Sequence, residues 1–219
     1  MTTRQRLLRI FNILLTNFGR RNWWPGETKL EIIVGAVLTQ NTAWKNVEKA
    51  IGNMKREGVL DIKTIHEISV EKLGEIIRPA GFFNIKSGRL KALIGVLHDS
   101  FKEDIENLSP VATDELRTLF LSIDGIGYET ADSILLYALH RPVFVVDAYT
   151  KRFLGNHDLY NGNSGYHDIQ GFFMEHLPPD TYLFNEFHAL IVYLCQHYCK
   201  KVPLCDTCPL KDEFVEGLV

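Results

Sequence analysis

The sequence predicts an all-α protein, and three observations carry that reading. Apolar residues recur at helical spacing along most of the chain. Period-two alternation is missing, and the one stretch of β character, Val143 to Val146, is too short to build a sheet. Turn-forming residues cluster at 79–81, 124–127, 161–165 and 178–179, which makes the connections short. Roughly ten helices are expected.

Leu7, Phe11, Leu14 and Phe18 form one stripe and give the first helix. The segment up to Gly26 holds Arg4, Arg6, Arg9, Arg20 and Arg21 and no acid, a composition shared with transit peptides. The stripe, and Trp23-Trp24-Pro25 directly after it, favour a folded element instead. Leu30 to Leu38, with Glu27 and Glu31 near its start, is strongly apolar and reads as a buried helix. Trp44 to Met54 is amphipathic. Val70 to Ile77, Lys86 to His98 and Asp114 to Leu121 read as shorter helices. Ser69 is placed to cap the first of these, although Lys72 stands where a capping box needs an acid. Ala131 to Leu139 and Leu183 to Cys195 are two more helices.

With 46% hydrophobic and 23% charged residues the composition is ordinarily globular, and no apolar run approaches a membrane span. No secretory signal is visible, so the cytoplasm is the expected location, without a membrane partner and as a monomer. A net charge of −3 does not announce a nucleic-acid binder. A second acid-free segment nevertheless carries Arg78, Lys86, Arg89 and Lys91, while acids collect in Glu57 to Glu75 and in the last eight residues. Such a map gives either a basic face on an acidic molecule or chance clustering on a solvated surface.

The stretch "LSIDGIGYETADSILLYALHRPVFVVDAY", residues 121–149, is where chemistry concentrates. Gly125-Ile126-Gly127 separates two helical patterns, and glycines there supply the positive φ that a tight reversal needs. The amides opening the second helix then face outward and suit an anion such as a phosphate diester. A plain helical hairpin would look the same in isolation. The β-branched string that follows ends on a lone acid, Asp147.

Leu121-x3-Gly125-Ile126-Gly127-x2-Thr130-Ala131, followed after about fifteen residues by Val145-Val146-Asp147, resembles the helix-hairpin-helix and Gly/Pro-aspartate module of the endonuclease III superfamily of DNA glycosylases. The resemblance runs from about residue 28 to residue 208. It implies double-stranded DNA with a damaged base as partner, on a bacterial or archaeal chromosome. It also implies two helical subdomains with the active-site cleft between them. One covers 28–140 and carries the hairpin at about 116–140; the other is built from 1–27 plus 141–219 and ends in a cysteine loop at 195–208. The hairpin residues Gly125, Ile126, Gly127 and Thr130 correspond to a phosphate site, and Asp147 to the catalytic carboxylate. Gln40, in Leu38-Thr39-Gln40-Asn41-Thr42, corresponds to the residue that fills the space of an extruded nucleotide. Phe82, in Gly81-Phe82-Phe83-Asn84-Ile85-Lys86, corresponds to the wedge against the opposite strand. Alone, Gln40 reads as a helix-end amide and Phe82 as a core aromatic.

The same resemblance bears on the cysteines. All four, Cys195, Cys199, Cys205 and Cys208, fall near the end of the chain, a spacing that suits a compact metal site better than disulfides. The family often holds a [4Fe–4S] cluster with Cys-x6-Cys-x2-Cys-x5-Cys. Here Cys199, Cys205 and Cys208 match three ligands with one residue deleted, and the fourth position falls on Phe214, which cannot ligate. Cys195 lies one turn before Cys199 and is read as the substitute. Zinc, or a metal-free relic, are the other readings. Lys200 and Lys201, inside this loop, are placed to meet phosphates.

Two features suggest a subclass. Glu129 stands where bifunctional relatives place the lysine that forms a Schiff base, so strand cleavage is not expected. The Gly-Ile-Gly-x-Glu-Thr-Ala-Asp setting, and Trp23-Trp24-Pro25 ahead of an apolar helix, resemble the bacterial 3-methyladenine glycosylase branch. Trp24, Pro25 and Trp44 match positions that sandwich the extruded base in that branch, a sensible pocket for a cationic alkylated purine. Two alternatives stay open: a bifunctional endonuclease III-type enzyme for oxidised pyrimidines, and a non-catalytic DNA-binding iron–sulfur protein.

Overall fold

A computed structural model describes residues 1–213 of the chain, and their regular secondary structure is all helical. Eleven α-helices follow one another: α1 (Thr3–Phe18), α2 (Lys29–Leu38), α3 (Trp44–Arg56), α4 (Ile62–Glu67), α5 (Val70–Ile76), α6 (Phe83–Phe101), α7 (Thr113–Leu121), α8 (Tyr128–Ser133), α9 (Ala148–Asn156), α10 (Tyr166–His176) and α11 (Thr181–His197). Among the described residues there is no strand, and no helix is long and apolar enough to cross a membrane. The chain divides into two units, Trp24–Arg141 and Met1–Trp23 with Pro142–Val219.

In the Trp24–Arg141 unit α2 is the centre. Ile33, Val34, Ala36, Val37 and Leu38 are all buried, which explains a helix apolar on every face. It packs against α3, α6, α8 and the π-helical turn Ile134–Ala138 that extends α8. Ser69 caps α5 through its hydroxyl, which accepts from the Lys72 amide at 3.2 Å, without the reciprocal half of a capping box.

The second basic segment is not a free cationic face. Arg78 pairs with Glu75 at 2.8 Å. Lys86 is buried. Arg89 reaches Gln40. Lys91 donates to the carbonyls of Ile65, His66 and Ile68 and so satisfies the end of α4.

The other unit is organised by aromatic rings. Phe144 stacks on Phe173 with centroids 3.9 Å apart, and Phe187 meets Phe173 edge-on at 5.8 Å. Phe11 brings α1 to the same cluster through Phe187 at 5.5 Å. Val143 to Val146 is extended and buried, yet pairs with no strand. Side chains serve its backbone instead: Gln170 Nε2 donates to the Phe144 carbonyl at 2.8 Å, and the Val146 amide donates to the Tyr166 hydroxyl at 3.4 Å.

Candidate active site

The hairpin forms where the glycines predict it. α7 ends at Leu121, and α8 begins at Tyr128. Gly125 has φ +77°, and a Cβ there would run into the Arg89 side chain, so two separate constraints require glycine. Gly127 is different. Its φ is −91°, which any residue adopts, and its Cβ position faces open space. Only the first glycine supplies the positive φ; the second leaves the backbone open from outside. The helices on either side are joined by a two-pronged ion pair, Arg117 Nε and Nη2 to Asp132 at 2.7 and 3.0 Å, with Asp132 fully buried.

Gln40 lies against this hairpin. Its Nε2 donates to the Gly125 carbonyl at 3.2 Å and to Thr130 Oγ1 at 2.9 Å, and its Oε1 accepts from Arg89 Nη1. Phe82 is 66% exposed and holds a left-handed φ of +47°, which rules out a core role. Glu129 is exposed on the first turn of α8.

Trp24 is packed by two rings, Trp44 edge-on at 5.1 Å and Tyr137 tilted at 5.2 Å. Its indole lies on α2 at Gly35, where a Cβ would approach Nε1 to 3.1 Å. Pro25 is exposed beside it. Tyr137 escaped the sequence reading because periodicity gives no sign of the π turn that carries it.

In the other unit Asp147 caps α9. Its Oδ1 accepts from the Thr150 amide at 2.7 Å and from Thr150 Oγ1 at 2.9 Å. Its Oδ2 faces His188 Nε2 at 3.6 Å, from α11. Burial, the largest single influence, pushes the carboxyl pKa up; the charge and contact of His188 and the Thr150 bonds outweigh it and hold the group below its ordinary value. His188 was not foreseen, because only the fold brings α11 to Asp147.

Residues 34–179 match the family described as "HhH-GPD superfamily base excision DNA repair protein". The chain belongs to that superfamily. It is 47% identical over 210 residues, 95% of each chain, to a provisionally named DNA repair glycosylase of Methanocaldococcus jannaschii. The solved structure of Helicobacter pylori 3-methyladenine DNA glycosylase bound to 1,N6-ethenoadenine is 32% identical with a TM-score of 0.75, covering 88% of this chain and 96% of that one. A non-covalent endonuclease III–DNA complex shares the fold at 20% identity and TM-score 0.82, covering 99% and 97%. The protein is a DNA repair glycosylase of the HhH-GPD type, and damaged DNA is its substrate class.

In this HhH-GPD glycosylase the cysteines gather at the end of α11. Cys195, Cys199 and Cys208 are buried and Cys205 is exposed. Cys199 is held down at about 6, first by its hydrogen bond with Cys195 and also by Asn156, whose Nδ2 donates to Sγ at 3.2 Å, and by the Arg152 charge. Cys195 is pushed up by that same bond, then by burial. Cys208 is raised by burial, with the charges of Cys199 and Cys205 adding. Among the described residues no three cysteine sulfurs lie within 4.8 Å of one another. One zinc ion would draw four sulfurs to roughly 3.8 Å. A cubane binds each thiolate to a different iron, so its assembly would part the hydrogen-bonded Cys195 and Cys199 thiols; the described residues supply four thiol donors but no formed cluster site. Lys200 and Lys201 are exposed in this loop, and Phe214 lies outside the described residues.

Proposed function

We propose that this glycosylase is monofunctional and removes alkylated purines such as 3-methyladenine, leaving the strand intact. The observation that carries the monofunctional reading is Glu129: a carboxylate occupies the exposed position where an imine-forming lysine would be needed. The cluster of Trp24, Trp44 and Tyr137 supports a cationic purine, which electron-rich rings attract. The 32% identical relative, a 3-methyladenine glycosylase, points the same way.

Each residue then has a task. The backbone at Gly127, open on its outer side, takes a phosphate together with Gly125, Ile126 and Thr130 of the same turn. Gln40 and Phe82 enter the duplex beside the extruded base, and Lys200 and Lys201 meet phosphates further along. Trp24, Pro25 and Trp44 receive the base. Asp147, ionised, supports the positive charge that grows at C1′ as the C1′–N bond breaks, or takes a proton from the attacking water. Water oxygen bonds to C1′, and the base leaves with the electron pair. Cys195, Cys199, Cys205 and Cys208 would hold a [4Fe–4S] cluster, which supplies a structural clasp for the C-terminal loop.

The test is a panel of duplexes with one defined lesion each, assayed for base release with and without alkali. Release of methylated purine with breaks only after alkali is expected. An adduct trapped by borohydride at any lysine, or release of oxidised pyrimidines alone, overturns the assignment.

A further inference from the structure

We propose that Lys86 is a positioning residue that ties together the two loops entering the duplex, so that Gln40 and Phe82 act as one rigid tool. The proposal rests on the reading of those two residues given above.

Lys86 is on the first turn of α6 and is 1% exposed. Its Nζ donates to the Leu38 carbonyl at 2.7 Å, to Thr42 Oγ1 at 2.6 Å and to the Ala80 carbonyl at 2.8 Å. An ammonium has three N–H groups, and all are used. The placement of the acceptors is the informative part. Leu38 and Thr42 flank Gln40 by two residues on each side. Ala80 precedes Phe82 by two residues, and Lys86 follows it by four. The Thr42 hydroxyl donates in turn to the Ala80 carbonyl, a second link between the loops. One nitrogen therefore fixes both borders of the plug and one border of the wedge.

A buried lysine is costly, and burial, helped by the Arg89 charge, pulls its pKa down to about 8. A methionine would fill the same space without that cost. What the ammonium alone provides is a three-way tie among two backbone carbonyls and one hydroxyl, one of the carbonyls at the end of α2. Extruding a base from a paired duplex loads both loops. A slack joint between them would let each yield separately, whereas a fixed constellation transmits the load.

The experiment follows 1,N6-ethenoadenine, whose fluorescence is quenched while stacked, in a duplex where it faces thymine and in the same strand unannealed. With Lys86→Met the duplex fluorescence gain should fall about tenfold, the scale of one lost buried hydrogen bond, while affinity for the single strand stays within about twofold. Equal losses on both substrates, or an unchanged gain on the duplex, overturn the proposal. Thr42→Val removes the shared hydroxyl but keeps Lys86, should show the same split, and decides the matter if Lys86→Met does not fold. Gln40→Ala and Phe82→Ala are measured alongside. If both extrude the base as wild type does, the loop reading falls and the tie falls with it. If both fail while Lys86→Met and Thr42→Val extrude normally, only the tie falls.

Discussion

The carboxylate of Asp147 and the imidazole of His188 face each other at 3.6 Å, with side-chain exposures of 14% and 8%. Asp147 would be driven towards its neutral form by burial alone, and His188 with Thr150 reverses that. A folded-state pKa below the unfolded value of about 3.9 means that the paired carboxylate stabilises the fold above that value and loses its contribution as pH falls through the folded pKa.

His188→Phe removes the charge and the contact but keeps a ring. Burial then dominates, and Asp147 should protonate at higher pH. The acid limb of the single-turnover rate should move up by at least about one pH unit, and acid unfolding should begin earlier. An acid limb in the same place would show that His188 does not tune Asp147.

Asp147→Asn separates cap from chemistry. The residue is a cap, through Thr150, and Asn caps about as well as Asp. Stability should therefore hold within about 1 kcal/mol, while base release should drop by at least roughly a hundredfold if the charge acts on the sugar or the water. Full activity in a folded mutant sinks the catalytic assignment.

What the sequence made legible was local. The turn at Gly125 depends on neighbours within a few residues and stands where the pattern puts it. α4, α9 and α10 have no range in the sequence pattern: the first is a six-residue helix, and the last contains Gly171 and histidines that blur its stripe. The cations of 78–91 looked like a surface because their acceptors come from elsewhere, Lys86 bonding to Leu38, 48 residues away. Tyr137 and His188 became visible only once the fold brought them to Trp24 and Asp147.

Arg117 bonds Asp132 from the facing helix, and Asp132 has no exposed side-chain surface. Arg117→Leu leaves a buried charge behind and should cost about 3–5 kcal/mol in urea unfolding. Adding Asp132→Leu should restore most of it. A cost near zero for the single change would mean that the hairpin does not depend on this pair.

The anaerobically purified protein should be yellow-brown, with a broad band near roughly 400 nm from iron–sulfur charge transfer. With the proposed ligand set, in which Cys195 stands in for the position that falls on Phe214, Cys195→Ser should bleach or weaken the band. Colourless protein without iron removes the cluster.

Gly35 links the helical core to the aromatic cluster. A Cβ there would stand 3.1 Å from Trp24 Nε1 and 3.3 Å from Cζ2, closer than ordinary packing, so the indole must shift by a few tenths of an ångström. Alanine is the better helix former by up to about 1 kcal/mol, and Trp24 is only half-buried and can give way, so Gly35→Ala should fold at least nearly as well as wild type. Base recognition is less tolerant, because a displaced ring no longer stacks on an extruded purine. Excision of methylated purine should fall about tenfold in kcat/KM, while affinity for undamaged duplex, set by phosphate contacts elsewhere, stays unchanged. Unchanged excision would exclude Trp24 from the pocket. A parallel loss of undamaged-DNA affinity would instead assign the change to the fold, a distinction that the Trp24→Ala variant alone cannot make.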